Sequence, residues 1–411
     1  MCPKTSLQLK QPCAPGSIEI VIPVTEHLAS PRPDADNPKL PKALRHRVKR
    51  ARALLILAAK LRLPMRQRLA DRMWRAAKPH YLASPLLSYG LSSDAENPGA
   101  RSWQELKLLG YVFSCYEQHE AYEHLLEAFD SVKPVSAEQE TEKASFIGSG
   151  SGDSTLNCYR ALKVTGQADV DAWQFEKVYR RRDNDDLERV KALNAFFGPS
   201  LSSGELFMPR IMEIREGSEL AIIYSRLTPG TRISKSRAVV AGGAAVRMLM
   251  DLSVQTVPPD SVLRRPHPQF INAHTITRDW IAGTAPQHLS EFDAITDWVE
   301  QNCPRFLAHG DLHRKNILAS GAMLDWDSCG IYPIGYDPGL ILARGFGGRT
   351  VDDLESDLIS HFGGKEDNRI LVSAGLFYTL VFGVGKRSVL GDSLLSSLLT
   401  RVLDRMEITE C

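Results

Sequence analysis

One stretch, residues 306–327, constrains the chain more than any other, and it reads FLAHGDLHRKNILASGAMLDWD. A short apolar run leads into His309-Gly310-Asp311, and Asn316 follows five residues after Asp311. Two further apolar runs flank Ser320-Gly321 and end at Asp325, a pattern that predicts a small hairpin. Closure of this hairpin would bring the side chains of Asp311, Asn316 and Asp325 together.

Oxygen-bearing side chains in this order suit phosphoryl transfer from ATP. That reaction needs one carboxylate to orient the acceptor hydroxyl, and an amide oxygen plus a second carboxylate to hold magnesium on the phosphates. Such hard oxygen ligands match Mg2+. A strand-turn-strand with solvated acids is the plain alternative, but the ordered spacing of His309, Asp311, Asn316 and Asp325 favours a catalytic site.

The spacing resembles the kinase catalytic loop, H-R-D-L-x-x-x-x-N followed by D-F-G, with His-Gly-Asp in place of His-Arg-Asp. The form HGDLHxxN…DWD resembles the aminoglycoside phosphotransferase and choline kinase branch of the protein-kinase-like fold, the phosphotransferase enzyme family. The resemblance covers about residues 144–411. It implies an α+β, two-lobed fold with a small β-rich lobe and a larger helical lobe. It further implies Asp311 as catalytic base, His309 as structural support, and Asn316 and Asp325 as Mg2+ ligands.

A glycine-rich run lies between two apolar runs at the start of this part of the chain. Gly148, Gly150 and Gly152 would let backbone N–H groups approach phosphate oxygens, as a loop that covers ATP requires. A flexible turn is the alternative reading of the same residues. Their place ahead of the catalytic loop favours the phosphate-binding role.

Two lysines compete for the role of the kinase lysine that contacts the phosphates of ATP. Counting strands from the glycine run puts Lys163 at the end of the second strand and Lys177 in the middle of the third. The third strand resembles the V-A-I-K strand of kinases. Phe175, Lys177 and Tyr179 alternate onto one face, which would lay the lysine stem along apolar surface. We therefore choose Lys177, with Glu188 on the following helix as its expected ion partner; an exposed helix glutamate is the alternative for Glu188.

Two features of the chain depart from the family's usual pattern. Arg314 and Lys315 stand where Pro-Gly is common, and they either meet phosphate or an anionic substrate, or point to solvent. The family's G-D-P-x-x-D-L-A segment, which carries an aspartate that braces the catalytic loop, is altered here. Asp337 could match either aspartate of that segment, which leaves its role open.

Bulk composition narrows the class of protein and its location. The chain has 411 residues, 43% apolar and 24% charged, which is typical of a globular protein. A net charge of +1 argues against nucleic acid as a partner. Seven scattered cysteines form neither a disulfide framework nor a zinc pattern, and they indicate reduced thiols in a cytoplasmic protein.

The first 140 residues lie outside the resemblance. We read 1–42 as a leader and linker, and 43–140 as a mainly helical N-terminal region that precedes a small lobe at 144–227 and a large lobe at 228–411. The basic segment 43–78 either has a solvated Arg-rich face or binds an anionic membrane surface, which would make the protein peripheral at the membrane. The boundary near residue 140 predicts that 1–140 can be deleted without unfolding the rest.

These features predict an enzyme that moves the γ-phosphoryl group of Mg-ATP to a hydroxyl of a small molecule. An aminoglycoside, a sugar, a choline-like alcohol and a lipid headgroup all remain open as the acceptor. A protein kinase is one alternative, disfavoured because no clear A-P-E segment follows Asp325. A nucleotide-binding pseudokinase or scaffold is another, disfavoured by the retained Lys177, Asp311, Asn316 and Asp325.

Overall fold

The structure, a computed structural model, describes most of the chain from residue 141 and parts of the region before it. The described residues are 103, 106, 110, 119–130, 141–148, 154–156, 158–166, 172–181, 184–202, 208–228, 230–344, 349–363, 368–386 and 390–407. The leader 1–42, the basic segment 43–78, Gly150 and Gly152 lie outside the described residues.

The small lobe is built on five antiparallel strands in the order β1-β2-β3-β5-β4. The strands are β1 (Thr141–Gly148), β2 (Tyr159–Val164), β3 (Trp173–Arg180), β4 (Ile211–Glu216) and β5 (Leu220–Arg226). Strand β5 is apolar because it lies between β3 and β4 and is covered on both faces of the sheet. The residues that point to either face are therefore buried. The predicted strand count is confirmed: Lys163 lies on β2 and Lys177 on β3.

Helices cover both faces of this sheet. Helix α1 (His119–Asp130) supplies Tyr122 and Leu126 to a buried cluster on one face. Helix α2 (Asp185–Ser202) supplies Leu187 and Val190 to a second cluster with Tyr179, Ala221 and Ile223 of the other face. Because the two apolar faces are covered by different helices, α1 is an integral layer of the small lobe.

This packing corrects the predicted boundary near residue 140. Trp103 and Leu106 share the buried cluster with α1 and with strand residues such as Val178 and Ile222. Asp130 at the end of α1 accepts hydrogen bonds from the backbone N–H groups of Glu219 (3.0 Å) and Leu220 (2.7 Å). The chain therefore supplies part of the layer that covers the sheet before residue 140.

Charged groups tie the same helix to the sheet. Arg160 of β2 is fully buried and donates to both carboxylate oxygens of Glu176 on β3, each at 2.7 Å. Its third contact is with Glu123 of α1 at 2.6 Å. Loss of one partner from such a buried pair costs about 3–5 kcal/mol. The attachment of α1 is therefore both apolar and electrostatic.

Deletion of residues 1–140 is accordingly expected to unfold the small lobe. Four fully buried side chains would be lost: Trp103, Leu106, Tyr122 and Leu126. At about 1.5–3 kcal/mol for each, the loss is about 6–12 kcal/mol, which matches the whole stability of an ordinary domain. Thermal unfolding of the 141–411 protein should lack the cooperative transition of the full chain, whereas deletion of only 1–42 should preserve it. A folded 141–411 protein would contradict the packing argument.

The large lobe is mainly helical. Its helices are α3 (Lys235–Met250), α4 (Pro268–Thr284), α5 (Leu289–Asn302), α6 (Tyr336–Ala343), α7 (Val351–Asp357), α8 (Asn368–Val384) and α9 (Asp392–Glu407). A two-stranded sheet, β6 (Arg305–Ala308) and β7 (Gly330–Pro333), flanks the catalytic stretch. The two-lobed α+β architecture expected from the resemblance is thus present.

Helix α8 lies at the centre of the large lobe. It packs closely on α6 because Gly339 lets the two backbones approach: a Cβ there would lie 2.5 Å from the Cβ of Tyr378. Aromatic rings from three helices surround this contact: Phe270, Tyr336 and Tyr378. The position of α6 is consequently set by the core.

Among the described residues, no helix combines the length and apolar character needed to cross a membrane.

Candidate active site

The catalytic stretch begins where β6 ends, at His309-Gly310-Asp311. Gly310 has a φ of +79°, and a Cβ at this position would lie 1.8 Å from the backbone oxygen of Ser328. Both the left-handed backbone and the close approach require glycine. The turn made here directs the chain out of the sheet and places the Asp311 carboxylate, which is 20% exposed, beside Asn316 and Arg344.

Asp337 of α6 holds this turn in place. Its buried carboxylate accepts hydrogen bonds from the backbone N–H groups of His309 (2.7 Å) and Gly310 (3.0 Å). Burial raises the pKa of Asp337 to about 7, against the opposing effect of these two hydrogen bonds. In the structure, Asp337 braces the turn at His309-Gly310, where the loop predicted to be catalytic begins.

His309 supports the loop from below, as expected from the sequence. It is fully buried, its Nδ1 accepts the backbone N–H of Asp311 (3.2 Å), and its Nε2 lies 2.9 Å from the backbone oxygen of Leu324. An accepting Nδ1 requires the proton on Nε2, which can then donate to Leu324. The ring joins the start of the loop to the end of the hairpin as a neutral imidazole.

This role makes stability depend on pH in the acid range. Burial lowers the pKa of His309 to about 4, although the Asp311 charge opposes the shift. An unfolded histidine titrates near pH ~6.5, so the unfolded chain binds more protons between these values. Stability should therefore be complete above about pH 6.5 and fall towards pH 4, by up to about 3 kcal/mol from this group. The pH dependence of thermal unfolding should be shallower for His309→Gln than for the wild type; equal slopes would contradict the assignment.

The hairpin predicted after Asn316 is confirmed. Ile317 pairs with Met323, and Leu318 N–H donates to the oxygen of Ala322 at 2.9 Å across the tip. Leu324 N–H donates to the oxygen of Asn316 at 2.8 Å. This closure places the start of the hairpin beside Asp325, so three predicted residues of the loop are brought to one region.

Asp311 is surrounded by donors and cations. Asn316 Nδ2 lies 3.1 Å from its backbone oxygen and 3.2 Å from Oδ2. Arg344 Nη1 lies 2.5 Å from Oδ1, and His313 Nε2 lies 3.6 Å from Oδ2. Because the Asn316 amino group is directed at Asp311, its amide oxygen is the atom that can serve a cation. The spacing of Asp311 and Asn316 revealed their pairing, whereas no local sequence signal marked Arg344.

Lys177 reaches this region from the small lobe. Its Nζ lies 2.7 Å from Asp325 Oδ1 and 2.5 Å from Asp327 Oδ2. Burial by itself lowers the pKa of Lys177, but Asp325 and Asp327 raise it and set the net direction upward. The rings of Tyr159 and Tyr179 lie alongside the ammonium at 5.7 Å and 5.1 Å. The lysine thus stays charged and joins the two lobes across the cleft.

Asp325 and Asp327 are held differently on the two sides of Trp326. Asp325 has a φ of 67°, in the left-handed region that a non-glycine residue rarely adopts, and its side chain is half exposed. Asp327 is less exposed, at 17% of its side chain, and accepts the Tyr179 hydroxyl at 2.7 Å. Burial raises the pKa of Asp327 while the adjacent Lys177 opposes that rise. Asp327 was not among the predicted site residues; its signal was the second acid of Asp-Trp-Asp.

Glu188 is not the partner of Lys177, which corrects the predicted ion pair. Its side chain is about half exposed and contacts Lys191 at 3.2 Å on the same helix. The reason is helical geometry: at 100° per residue, the buried Leu187 and Arg189 on either side leave Glu188 on the solvent face. Asp325 and Asp327 take its place at Lys177.

The acid of α2 that faces the cleft side is Asp186. It accepts the hydroxyl of Ser154 and lies 2.9 Å from His267 Nε2. Hydrogen bonds from His267 and Ser154 lower its pKa more than burial raises it, and the nearby Lys177 charge acts in the same direction. Ser154 follows the glycine run, of which Gly148 is placed at the end of β1. Gly150 and Gly152 belong to the part that is not described, so their phosphate-binding role stays a prediction.

The donor set fits a magnesium ion better than a transition metal. No cluster of three or more His, Cys, Asp or Glu side chains suited to a metal occurs among the described residues. The two carboxylates of Asp325 and Asp327 already converge on one cation, the Lys177 ammonium. Together with the amide oxygen of Asn316 they are hard ligands, which suit Mg2+ that keeps water and phosphate oxygens in its shell.

Known proteins of several kinds are similar to parts of this chain. A comparison with curated proteins gave no match. Among solved structures, a macrolide 2'-phosphotransferase from Brachybacterium faecium is 15% identical, with a TM-score of 0.42, over 70% of this chain and 98% of that one. A spectinomycin phosphotransferase in complex with ADP and spectinomycin is 15% identical, with a TM-score of 0.38, over 71% and 98%. A putative fructosamine-3-kinase from Haemophilus somnus is 10% identical, with a TM-score of 0.39, over 64% and 92%.

The sequence model of the phosphotransferase enzyme family matches residues 171–368. The matched range begins just before β3 and contains Lys177, Asp311, Asn316, Asp325 and Asp337. These five residues of the site therefore lie inside the family match. The phosphotransferase enzyme family is therefore the family that residues 171–368 of this chain resemble.

Proposed function

We propose that the protein transfers the γ-phosphoryl group of Mg-ATP to a hydroxyl of a small molecule. The observation that carries the proposal is the meeting of Lys177 from one lobe with Asp325 from the other, beside the Asp311–Asn316 pair. Positioning and charge stabilisation supply most of the catalysis in phosphoryl transfer, and this arrangement offers groups for both.

Asp311 is the proposed base of the reaction. Its carboxylate accepts a hydrogen bond from the acceptor hydroxyl, whose oxygen attacks the γ-phosphorus. The bond from the γ-phosphorus to the oxygen that bridges it to the β-phosphorus breaks, and the hydroxyl proton passes to Asp311. The products are a phosphate ester of the acceptor and ADP. Asn316 keeps the carboxylate oriented through its amino group.

The other residues hold the phosphates and their counter-ion. Asn316 and Asp325 would bind Mg2+, with Asp327 close enough to Asp325 to contribute a second carboxylate. When bound, the ion neutralises charge on the transferring group. Lys177 is buried along its stem with only its ammonium at the carboxylates, which is the position from which it can bind phosphate oxygens. The glycine run 148–152 is proposed to cover them.

Two further properties belong to the same proposal. A protein kinase or a catalytically silent scaffold would lack either the small-molecule acceptor or turnover, and the intact set of Lys177, Asp311, Asn316 and Asp325 favours an active enzyme.

A cytoplasmic location rests on the cysteine pattern. Cys158, Cys303 and Cys329 are buried cysteines.

The metal assignment gives a direct test. Asp325→Ala should weaken Mg-ATP binding about tenfold or more, because a carboxylate in direct contact with the ion is lost while Lys177 keeps Asp327 as its partner. Nucleotide-dependent thermal shift, titrated with Mg2+, measures the effect alongside ATP turnover in an acceptor screen. Asp352→Ala, which removes an exposed acid paired with Arg401, is the matched control. An unchanged Mg2+ dependence in Asp325→Ala would remove Asp325 from the metal site.

A further inference from the structure

Arg344 is the residue outside the expected machinery that contacts the proposed base most closely. Its Nη1 lies 2.5 Å from Asp311 Oδ1. Its backbone N–H donates to the oxygen of Leu340 at the end of α6, and the same helix carries Asp337, which binds the catalytic loop. One helix thus sets the position of Arg344 and of the loop that carries Asp311. The contact is built into the fold.

The surface around this contact is basic. His313 lies 3.6 Å from the other Asp311 oxygen, and Arg314 and Lys315 are exposed on the same loop. Asp311 is the only acid between residues 311 and 324. Among the described residues, Asp311 is also the one carboxylate within ion-pair distance of Arg344. The loop therefore carries more positive than negative charge where an acceptor must arrive.

Arg344 has binding capacity beyond its contact with Asp311. A guanidinium has five N–H donors in a rigid fork, and the side chain of Arg344 is 23% exposed. A hydroxyl that hydrogen-bonds to Asp311 brings the rest of its molecule alongside this fork. Phosphate and carboxylate groups match the fork with two parallel charge-assisted bonds, whereas an ammonium group is repelled.

We propose that the acceptor is a hydroxyl compound bearing a phosphate or carboxylate, which Arg344 binds while the hydroxyl lies at Asp311. The inference rests on the proposed phosphotransferase function and names the substrate class of that same site. Arg314 and Lys315, which are exposed on the same loop, add to the attraction of an anion. A polycationic acceptor is disfavoured by the same charges.

A role confined to positioning Asp311 is the competing explanation for Arg344. Loss of that role would slow transfer to every acceptor by a similar factor, because each uses the same base. Loss of an anion site would slow transfer to anionic acceptors alone. The ratio of rates between a charged and a neutral acceptor therefore separates the two roles, since any effect on Asp311 cancels in it.

The experiment uses one sugar ring in four charge forms: D-glucose, D-glucose 6-phosphate, D-glucuronate and D-glucosamine. For the full-length protein at saturating Mg-ATP, kcat/KM is measured for each, and binding of each to the Mg-ADP complex is titrated in parallel. We expect at least one anionic form to exceed glucose about tenfold to 100-fold, and glucosamine to fall below glucose. The phosphate and carboxylate forms distinguish which anion the site prefers.

Arg344→Gln should remove this preference, and Arg344→Lys should retain part of it. Arg278→Ala, which breaks an exposed ion pair with Asp293 between α4 and α5, is the matched control and should keep the wild-type ratio. A wild-type protein that favours glucose or glucosamine, or that binds none of the four, overturns the inference. So does an anionic preference that survives Arg344→Gln. Failure of Mg-nucleotide binding would instead remove the proposed function itself.

Discussion

Asp311→Asn is expected to lower kcat for phosphoryl transfer at least about 100-fold while leaving nucleotide binding nearly unchanged. The substitution keeps the size of the side chain and an oxygen that can accept from Asn316, but it removes the charge that takes the acceptor proton. The contacts of Asp311 go to Asn316, Arg344 and His313. The Lys177–Asp325 contact is separate, so the nucleotide should still find its partners.

Turnover and nucleotide-dependent thermal shift should be measured together on this variant. Asp352→Asn serves as a control, since that acid is 80% exposed and pairs with Arg401 in a surface contact. If Asp311→Asn kept wild-type kcat on a reactive acceptor, Asp311 could not be the base. Loss of both binding and turnover would place Asp311 in the nucleotide site instead.

Lys177→Met is expected to cause the second large loss, with Lys163→Met as its near-neutral counterpart. Lys177 is buried between Asp325 and Asp327, whereas Lys163 is one-third exposed and contacts Glu142 at 2.6 Å. A surface pair of the latter kind contributes about 0–1 kcal/mol. Removal of Lys177 leaves two carboxylates adjacent without their shared cation, which destabilises the fold, and it also removes the phosphate contact.

Loss of stability and loss of catalysis can be separated at Lys177. The double variant Lys177→Met with Asp327→Asn removes one of the unpaired charges and should recover much of the thermal stability of the single variant. Activity should stay low, because the ammonium that binds phosphate is absent. Recovery of turnover in the double variant would show that Lys177 acts through folding alone. Equal losses in Lys163→Met would move the phosphate-binding lysine to β2.

The sequence determined those parts of the protein whose information is local. A glycine turn between apolar runs specifies a hairpin, because its backbone bonds form between residues a few positions apart. The stretch from His309 to Asp325 therefore predicted the hairpin and the neighbourhood of Asp311 and Asn316. Counting strands after the glycine run identified β3 and Lys177, since antiparallel neighbours follow one another along the chain.

The tertiary structure decided what depends on residues far apart. Lys177 contacts Asp325, which is 148 positions away in the sequence, and no spacing pattern predicts such a contact. Glu188 had the right residue type and place in the order, but the helix turned it to solvent. Arg344 carried no motif, and its arrival at Asp311 follows from the packing of α6 against α8. Local spacing in the sequence indicates which side chains are available to form a site. Burial and packing determine which of them come into contact.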